Sequence, residues 1–248
     1  MSNDVFRFKQ FCIHHDRCAM KVGTDGVLLG AWGCVEGKRI LDIGTGTGLI
    51  AMMAAQRNPE AEVLGIDIDE AAILQARENV AESPFSNRVS CVLCDLMAFQ
   101  LDNSKSLNGK SSNSICFDAI LCNPPFFTED TLPDNKSRAL ARNNKSLPFE
   151  LLIPKVASLL ANDGTFSLII PSQLATELVG LCLNERLHLV RRCQIRTTMK
   201  KPPRRTLMTF SFEGSPQSAD LRQDELILMT EDGTRSQAYQ ELTKDFYL

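Results

Sequence analysis

Residues 39–58 constrain the chain more than any other stretch. The apolar run Arg39 to Ile43 leads into Gly44-Thr45-Gly46-Thr47-Gly48, and Leu49 to Asn58 has helical composition. Strand, glycine-rich turn and helix in that order open a βαβ unit. Glycines 44, 46 and 48 let the backbone turn tightly and let a ligand approach it without Cβ obstruction. A phosphate-cradling P-loop needs Lys before its Ser or Thr, and no lysine follows the turn here. A dinucleotide GxGxxG fingerprint puts Gly or Ala at position 49, which is Leu49 in this chain. What remains is GxGxG with Asp42 two residues upstream.

The rest of the chain extends the same alternation. Val63 to Ile66, Val89 to Cys94, Phe117 to Cys122 and Thr165 to Ile170 read as strands. Helices are expected over Asp69–Ala81, with Asp69 as N-cap, over Phe149–Leu160 with a C-cap at Asn162-Asp163-Gly164, and over Ala175–Asn184. His188 to Arg196 and Arg205 to Phe212 form a long hairpin closing the sheet in antiparallel fashion. The predicted class is α/β, a doubly wound and mostly parallel seven-stranded sheet with that C-terminal antiparallel hairpin. One domain over 1–248 is expected: an N-terminal segment 1–38, a core 39–212 and an embellishment 213–248. The polar stretch 102–114 reads as a flexible insertion.

Carboxylates follow the strands. Asp42 precedes the glycine turn, Asp67 closes the second strand 19 residues past Gly48, and Asp95 ends the third. S-adenosylmethionine is cationic at sulfur and carries an ammonium, so a site for it is served by carboxylates rather than lysines. Asp42 is expected to face that cationic end directly or through water, Asp67 the ribose diol, and Asp95 the adenine amino group. Helix capping is the competing role for these aspartates. After the fourth strand stands Asn123-Pro124-Pro125-Phe126. The Asn123 amide oxygen and the Pro124 carbonyl can accept from both hydrogens of an exocyclic amine, favouring a pyramidal, nucleophilic nitrogen. Phe126 can stack on a planar base. A strand-terminating turn is the plainer alternative.

Asp42 to Gly48, Asp67, Asp95 and Asn123-Pro-Pro-Phe126 resemble the ordered motifs of class I, Rossmann-like methyltransferases that modify amino groups. The lead segment, Phe8 to Phe11 and Asp16 to Trp32, together with Ala141-Arg142 and the terminal Asp245 to Leu248, resembles the bacterial tRNA1(Val) adenine-N6-methyltransferases. Those enzymes modify the adenosine 3′ of the anticodon. The resemblance implies that Lys21, Thr24 and Asp25 lie in a segment closing over the cofactor. It also implies cofactor contacts from Asp42, Gly44, Thr45, Gly46, Gly48, Asp67, Ile68, Asp95 and Asn123, with Asn123, Pro124 and Phe126 catalytic. The family usually carries Tyr where this chain has Phe126; stacking survives that change, and a hydroxyl role does not. Guanine-N2 methylation of ribosomal RNA, glutamine methylation of release factors and a catalytically silent RNA-binding protein are the alternatives.

The net charge is −3, with 27 Lys and Arg against 30 Asp and Glu, which excludes a wholly basic nucleic-acid coat. Placement matters more than the sum. Arg191 to Arg205 holds seven basic residues in fifteen and no acidic one, so the remainder is more acidic than the total. Lys200, Lys201, Arg204 and Arg205, with Arg142 in a second basic segment (Lys136, Arg138, Arg142, Lys145), are the candidate RNA contacts. A single-stranded or loop tRNA partner suits a reaction whose base must leave its stack. Nine cysteines spread through apolar stretches fit a reducing cytoplasm. Cys91 and Cys94 lack the second pair zinc would want, and His14-His15-Asp16 are consecutive, so no metal is expected. Nor is a secretory signal, a membrane span or an obligate protein partner.

Overall fold

The computed structural model describes residues 4–18, 21–100, 116–125, 147–216 and 220–248. Two short strands, β1 (Val5–Arg7) and β2 (Cys12–His14), pair antiparallel and precede α1 (Thr24–Trp32). The alternation then runs β3 (Arg39–Ile43), α2 (Leu49–Arg57), β4 (Glu62–Asp67), α3 (Glu70–Ala81), β5 (Val89–Leu93) and β6 (Phe117–Cys122). After it come α4 (Phe149–Leu159), β7 (Leu160–Pro171), α5 (Ala175–Asn184), β8 (Leu187–Arg196), β9 (Arg205–Phe212), β10 (Arg222–Ile227) and α6 (Gln237–Thr243).

The large sheet has the order β10-β8-β9-β7-β6-β3-β4-β5. β9 runs antiparallel to β7 and β8, as the sequence hairpin requires. The seven expected strands are therefore present, and β10 adds an eighth, parallel to β8 from Arg222↔Arg191 to Ile227↔Arg196. That strand escaped notice because Arg222-Gln-Asp-Glu225 is polar and exposed, leaving only Leu226 with an apolar burial signal.

Alternation along each strand builds two cores. Ile40, Ala119, Leu121, Ile169 and Leu207 face α1, α2 and α3. Leu41, Ile43, Ile120, Phe166, Leu168 and Phe210 face α4 and α5. Side chains of period two thus distribute helices to both faces, which makes the fold doubly wound.

Asn162-Asp-Gly164 is not a helix cap, contrary to expectation. Helix α4 stops at Leu160, which is extended, and Gly164 has no positive φ. The triplet lies instead in a bulge of β7, where pairing jumps from Phe117↔Leu160 to Ala119↔Thr165. A Cβ at Gly164 would sit 2.8 Å from Leu160 Cδ1, so close approach, rather than a left-handed turn, selects glycine there.

β3 is where the winding reverses. From it the chain moves outward through β4 to β5 on one side, while β6 and β7 add on the other. Ligands of open α/β sheets bind beyond the carboxyl ends of strands at such a switch point. Ile43 pairs with Cys122, so Gly44 and Asn123 leave the sheet side by side.

Candidate active site

Gly44, Gly46 and Gly48 have φ of 70°, 55° and 83°, and Gly48 caps the start of α2. A Cβ built on Gly44 or Gly46 meets no atom within 4 Å, so both face open space. Beneath the loop, Thr45 Oγ1 donates to Asp42 Oδ2 at 2.7 Å, and Ala51 N donates to the same oxygen at 3.1 Å. Gly65 makes that seat possible: a Cβ there would lie 2.6 Å from Thr45 Oγ1.

Asp42 is fully buried rather than displayed at the surface. Burial pushes its carboxyl up to about 7, against the pull of the two hydrogen bonds. Its Oδ1 is buried without a hydrogen-bond partner. A buried acceptor left open beneath the glycine loop fits a ligand carrying positive charge.

Asp67 closes the loop from β4. Its Oδ2 accepts from Gly46 N and its Oδ1 from Asp69 N, both at 2.9 Å. Both carboxylate oxygens retain further acceptor capacity, which suits a ribose diol. Asp69 caps α3 through Ala71 N and Ala72 N, as the sequence indicates. Ile68, between them, is 53% exposed and offers apolar surface beside the crevice. Asp95 is exposed and accepts from Met97 N at 2.8 Å. Capping and ligand contact are compatible here, because an ionised carboxylate has two oxygens with about four acceptor sites.

The open glycine cradle, the orphaned Asp42 oxygen and the acidic strand ends together fit S-adenosylmethionine. Asn123 is half-buried and Pro124 buried immediately after β6, while Phe126 and Arg142 lie outside the described residues. So do residues 102–114 and the other members of the second basic segment.

The N-terminal segment is anchored over this loop by residues the sequence reading missed. Asn79, buried on α3, donates through Nδ2 to His14 O (2.9 Å) and Thr47 O (3.0 Å), and accepts from His14 N through Oδ1 (2.9 Å). Arg17 N donates to Gln75 Oε1, and Arg17 Nη1 pairs with Glu78 at 2.8 Å. The Cys18 thiol is pushed up to about 11 by burial and by the neighbouring Asp69, Asp67 and Asp16. The available signal was a polar Asn79 on the apolar face that carries Ile73, Ala76 and Val80. Lys21 and Thr24 are exposed, Thr24 opening α1, and Asp25 pairs with Arg205 at 2.7 Å.

The basic hairpin is less free than its composition implies. Arg191 sits 4.0 Å over the Trp32 ring and donates to Trp32 O. Arg196 pairs with Glu225 of β10, Lys200 with Glu231 at 2.9 Å, and Arg205 with Asp25. Lys201 and Arg204 are exposed and make no ion pair among the described residues.

Among the described residues no group of His, Cys, Asp or Glu is arranged to hold a metal, and no helix is long and apolar enough to cross a membrane. All nine cysteines are free thiols.

Comparison with known proteins agrees with this architecture. A methyltransferase-domain family matches residues 35–202. The solved structure of protein Atu636 from Agrobacterium tumefaciens, described as a predicted O-methyltransferase, superposes with a TM-score of 0.63 at 22% identity, covering 90% of this chain and 96% of that one. Its likeness is one of fold. The tRNA1(Val) (adenine(37)-N6)-methyltransferase of Bacteroides thetaiotaomicron is 42% identical over 250 residues, 100% of this chain and 99% of the relative. The protein of the same name from Vibrio campbellii is 37% identical over 98% of this chain and 95% of its own length. With identity of this order from end to end, the chain belongs to the tRNA1(Val) (adenine(37)-N6)-methyltransferase family.

Proposed function

We propose that the chain transfers a methyl group from S-adenosylmethionine to the exocyclic N6 of adenine in tRNA, at the adenosine 3′ of the anticodon of tRNA1(Val). The observation that carries this reading is the pairing of Ile43 with Cys122, by which the glycine loop and Asn123-Pro124 share one crevice. A cofactor cradle and a pair of amine acceptors side by side serve transfer to an amino group.

S-adenosylmethionine, when bound, supplies an electrophilic methyl group. The protein holds and orients. Asp42, Gly44, Thr45, Gly46, Gly48, Asp67, Ile68 and Asp95 form the cofactor side, with the 1–38 segment as its cover. The Asn123 amide oxygen and Pro124 carbonyl accept from the two hydrogens of the adenine amine, drawing its lone pair out of conjugation with the ring. Phe126 is assigned to stacking on the turned-out base. Once alkylated, the nitrogen carries positive charge, and its surplus proton passes to solvent from the same acceptors. Proline at 124 leaves no N–H to compete for them.

The partner is tRNA, the substrate in the relatives' names, and the compartment is the cytoplasm. Mass analysis of tRNA nucleosides from a strain lacking the protein tests the reading. Loss of N6-methyladenosine from one tRNA is expected. An unchanged tRNA profile with N2-methylguanosine missing from ribosomal RNA would overturn it.

A further inference from the structure

A second concavity lies along the sheet edge from the methyl-transfer crevice. It encloses about 390 Å³ and is lined by Phe6, Thr24, Met229, Arg235, Tyr239 and Tyr247, among others. Three remote parts of the chain meet there: β1, the start of α1, and the segment around α6. The guanidinium of Arg235 lies 4.4 Å over the Tyr247 ring and 5.7 Å from that of Tyr239. The two tyrosine hydroxyls are 3.2 Å apart. Arg235 is exposed and makes no ion pair among the described residues.

Hydrogen bonds fix where this cavity sits. Leu228 N donates to Arg196 O and Met229 N to Thr197 O, both at 2.9 Å, so one wall is continuous with the basic turn 197–204. The Lys200–Glu231 pair ties the two loops again. On the opposite wall, Thr24 opens α1, and two residues on a Cβ at Gly26 would lie 3.1 Å from Leu49 Cδ2, the residue after the glycine loop. In the sheet order the basic turn with Lys201 and Arg204, between β8 and β9, stands between the cavity, beyond the end of β10, and Asn123, beyond the end of β6.

We propose that this cavity binds a nucleotide of the substrate RNA other than the one that is methylated. The inference rests on the tRNA reading above. Tyr239 is buried, and Tyr247 is stacked on Phe8 and covered by Arg235. The contact therefore falls to the exposed guanidinium of Arg235, held over the Tyr247 ring, whose plane stacks on a nucleobase or hydrogen-bonds a phosphate in a fork. The volume lies within the range of small-molecule sites and holds one nucleoside, not a duplex. Lys201 and Arg204 lie on the phosphate path from the cavity to the crevice at Asn123, which takes the target base. Cavity and crevice together hold the RNA at two points, so that only one adenine reaches Asn123.

The test measures methylation of unmodified tRNA transcript by the wild type, Arg235→Ala, Arg235→Lys and Met229→Trp. Arg235 is exposed, so its removal costs only the cation–π contact with Tyr247 and lowers the thermal midpoint by no more than a few degrees; Met229→Trp fills the cavity and is an independent probe. KM for tRNA rises about tenfold in Arg235→Ala and Met229→Trp, while kcat at saturating RNA and affinity for S-adenosylmethionine stay at wild-type values. Arg235→Lys recovers only part, since an ammonium lacks the planar face. A transcript carrying 5-iodouridine about three nucleotides from the target adenosine, to span the four strand spacings from β6 to β10, crosslinks on irradiation to Tyr247 or Phe6. KM within twofold of wild type in both variants, or crosslinks confined to other residues, overturns the cavity assignment and leaves the tRNA reading standing. Wild-type enzyme that fails to methylate tRNA overturns both.

Discussion

The two ends of the site handle charge in opposite ways. Around the glycine loop, carboxylates find their partners close by in the chain: Asp42 takes Thr45 and Ala51, Asp69 takes Ala71, and Asp95 takes Met97. Asp67 reaches back to Gly46 and forward to Asp69. On the hairpin, partners come from far away: Trp32 for Arg191, Glu225 for Arg196, Glu231 for Lys200 and Asp25 for Arg205. Local pairing leaves the acidic end preorganised with one open acceptor. Remote pairing gives three of the seven cations in the run a carboxylate and lays Arg191 on Trp32. Arg192, Lys201 and Arg204 are left without an ion pair among the described residues, the last two exposed. Spacing reports the first arrangement and is silent about the second.

The comparison breaks most sharply at the acceptor pair. Asn123→Ala is expected to lower kcat on tRNA by about 100-fold or more, because a donor or acceptor aimed at developing charge carries several kcal/mol in an enclosed site. Affinity for S-adenosylmethionine, measured by calorimetry, stays within about twofold, because only the amine side has been altered. A matching loss of cofactor affinity would mean that Asn123 belongs to the cofactor side instead.

That division also explains what the sequence could disclose. Strand ends, glycine turn and the Asp69 cap depend on neighbours within a few residues, and the register Ile43↔Cys122 then follows from a buried parallel pair. Gly65 and Asn79 were invisible because their roles involve residues 20 to 65 positions away: Thr45 beside one, His14 and Thr47 beside the other. β10 was hidden for the same reason, since a polar edge strand carries little apolar periodicity of its own. Asp42 is visible in the motif as the acid before the glycine turn, yet its complete burial is read only from the packing above it.

Asn79 tests whether the acidic end owes its order to the anchored N-terminal segment. Asn79→Ala strips three hydrogen bonds from a buried site and leaves His14 and Thr47 backbone groups without that partner. A loss of about 2–4 kcal/mol in denaturant unfolding is expected, with weaker cofactor binding in the fraction that remains folded. Unchanged cofactor affinity would show that the loop keeps its form without the segment.

Proton linkage at Asp42 sharpens the same point with a smaller effect. Its folded carboxyl is raised from 3.8 to about 7 by burial, so the folded state holds its proton more tightly than the unfolded chain. This contribution to stability is complete below about pH 4 and is lost as the pH rises through about 7. Asp42→Asn, which has no charge to bury, should therefore gain on the wild type between pH 5 and pH 8 in denaturant midpoint. Cofactor binding should show the mirror image. A cationic ligand favours the ionised carboxylate, so wild-type affinity tightens from pH 6 to pH 8, and that part of the dependence disappears in Asp42→Asn. Parallel pH profiles for the two proteins would sink the assignment.

At the basic end the effects are smallest, and their ranking carries the argument. Lys201 and Arg204 lack ion pairs among the described residues, so the double change to alanine weakens tRNA binding several-fold at low salt and lowers the salt slope by about two. Lys200→Ala should alter binding less than about twofold. Its ammonium already rests 2.9 Å from Glu231, and both side chains are highly exposed, a pairing whose net worth is about 0–1 kcal/mol. Glu231→Ala supplies the control: freeing Lys200 should strengthen tRNA binding slightly and steepen the salt dependence. If Lys200→Ala proved as damaging as the double change, tRNA would have displaced Glu231 from its partner, and the hairpin would act as a charged surface after all, despite its remote pairings.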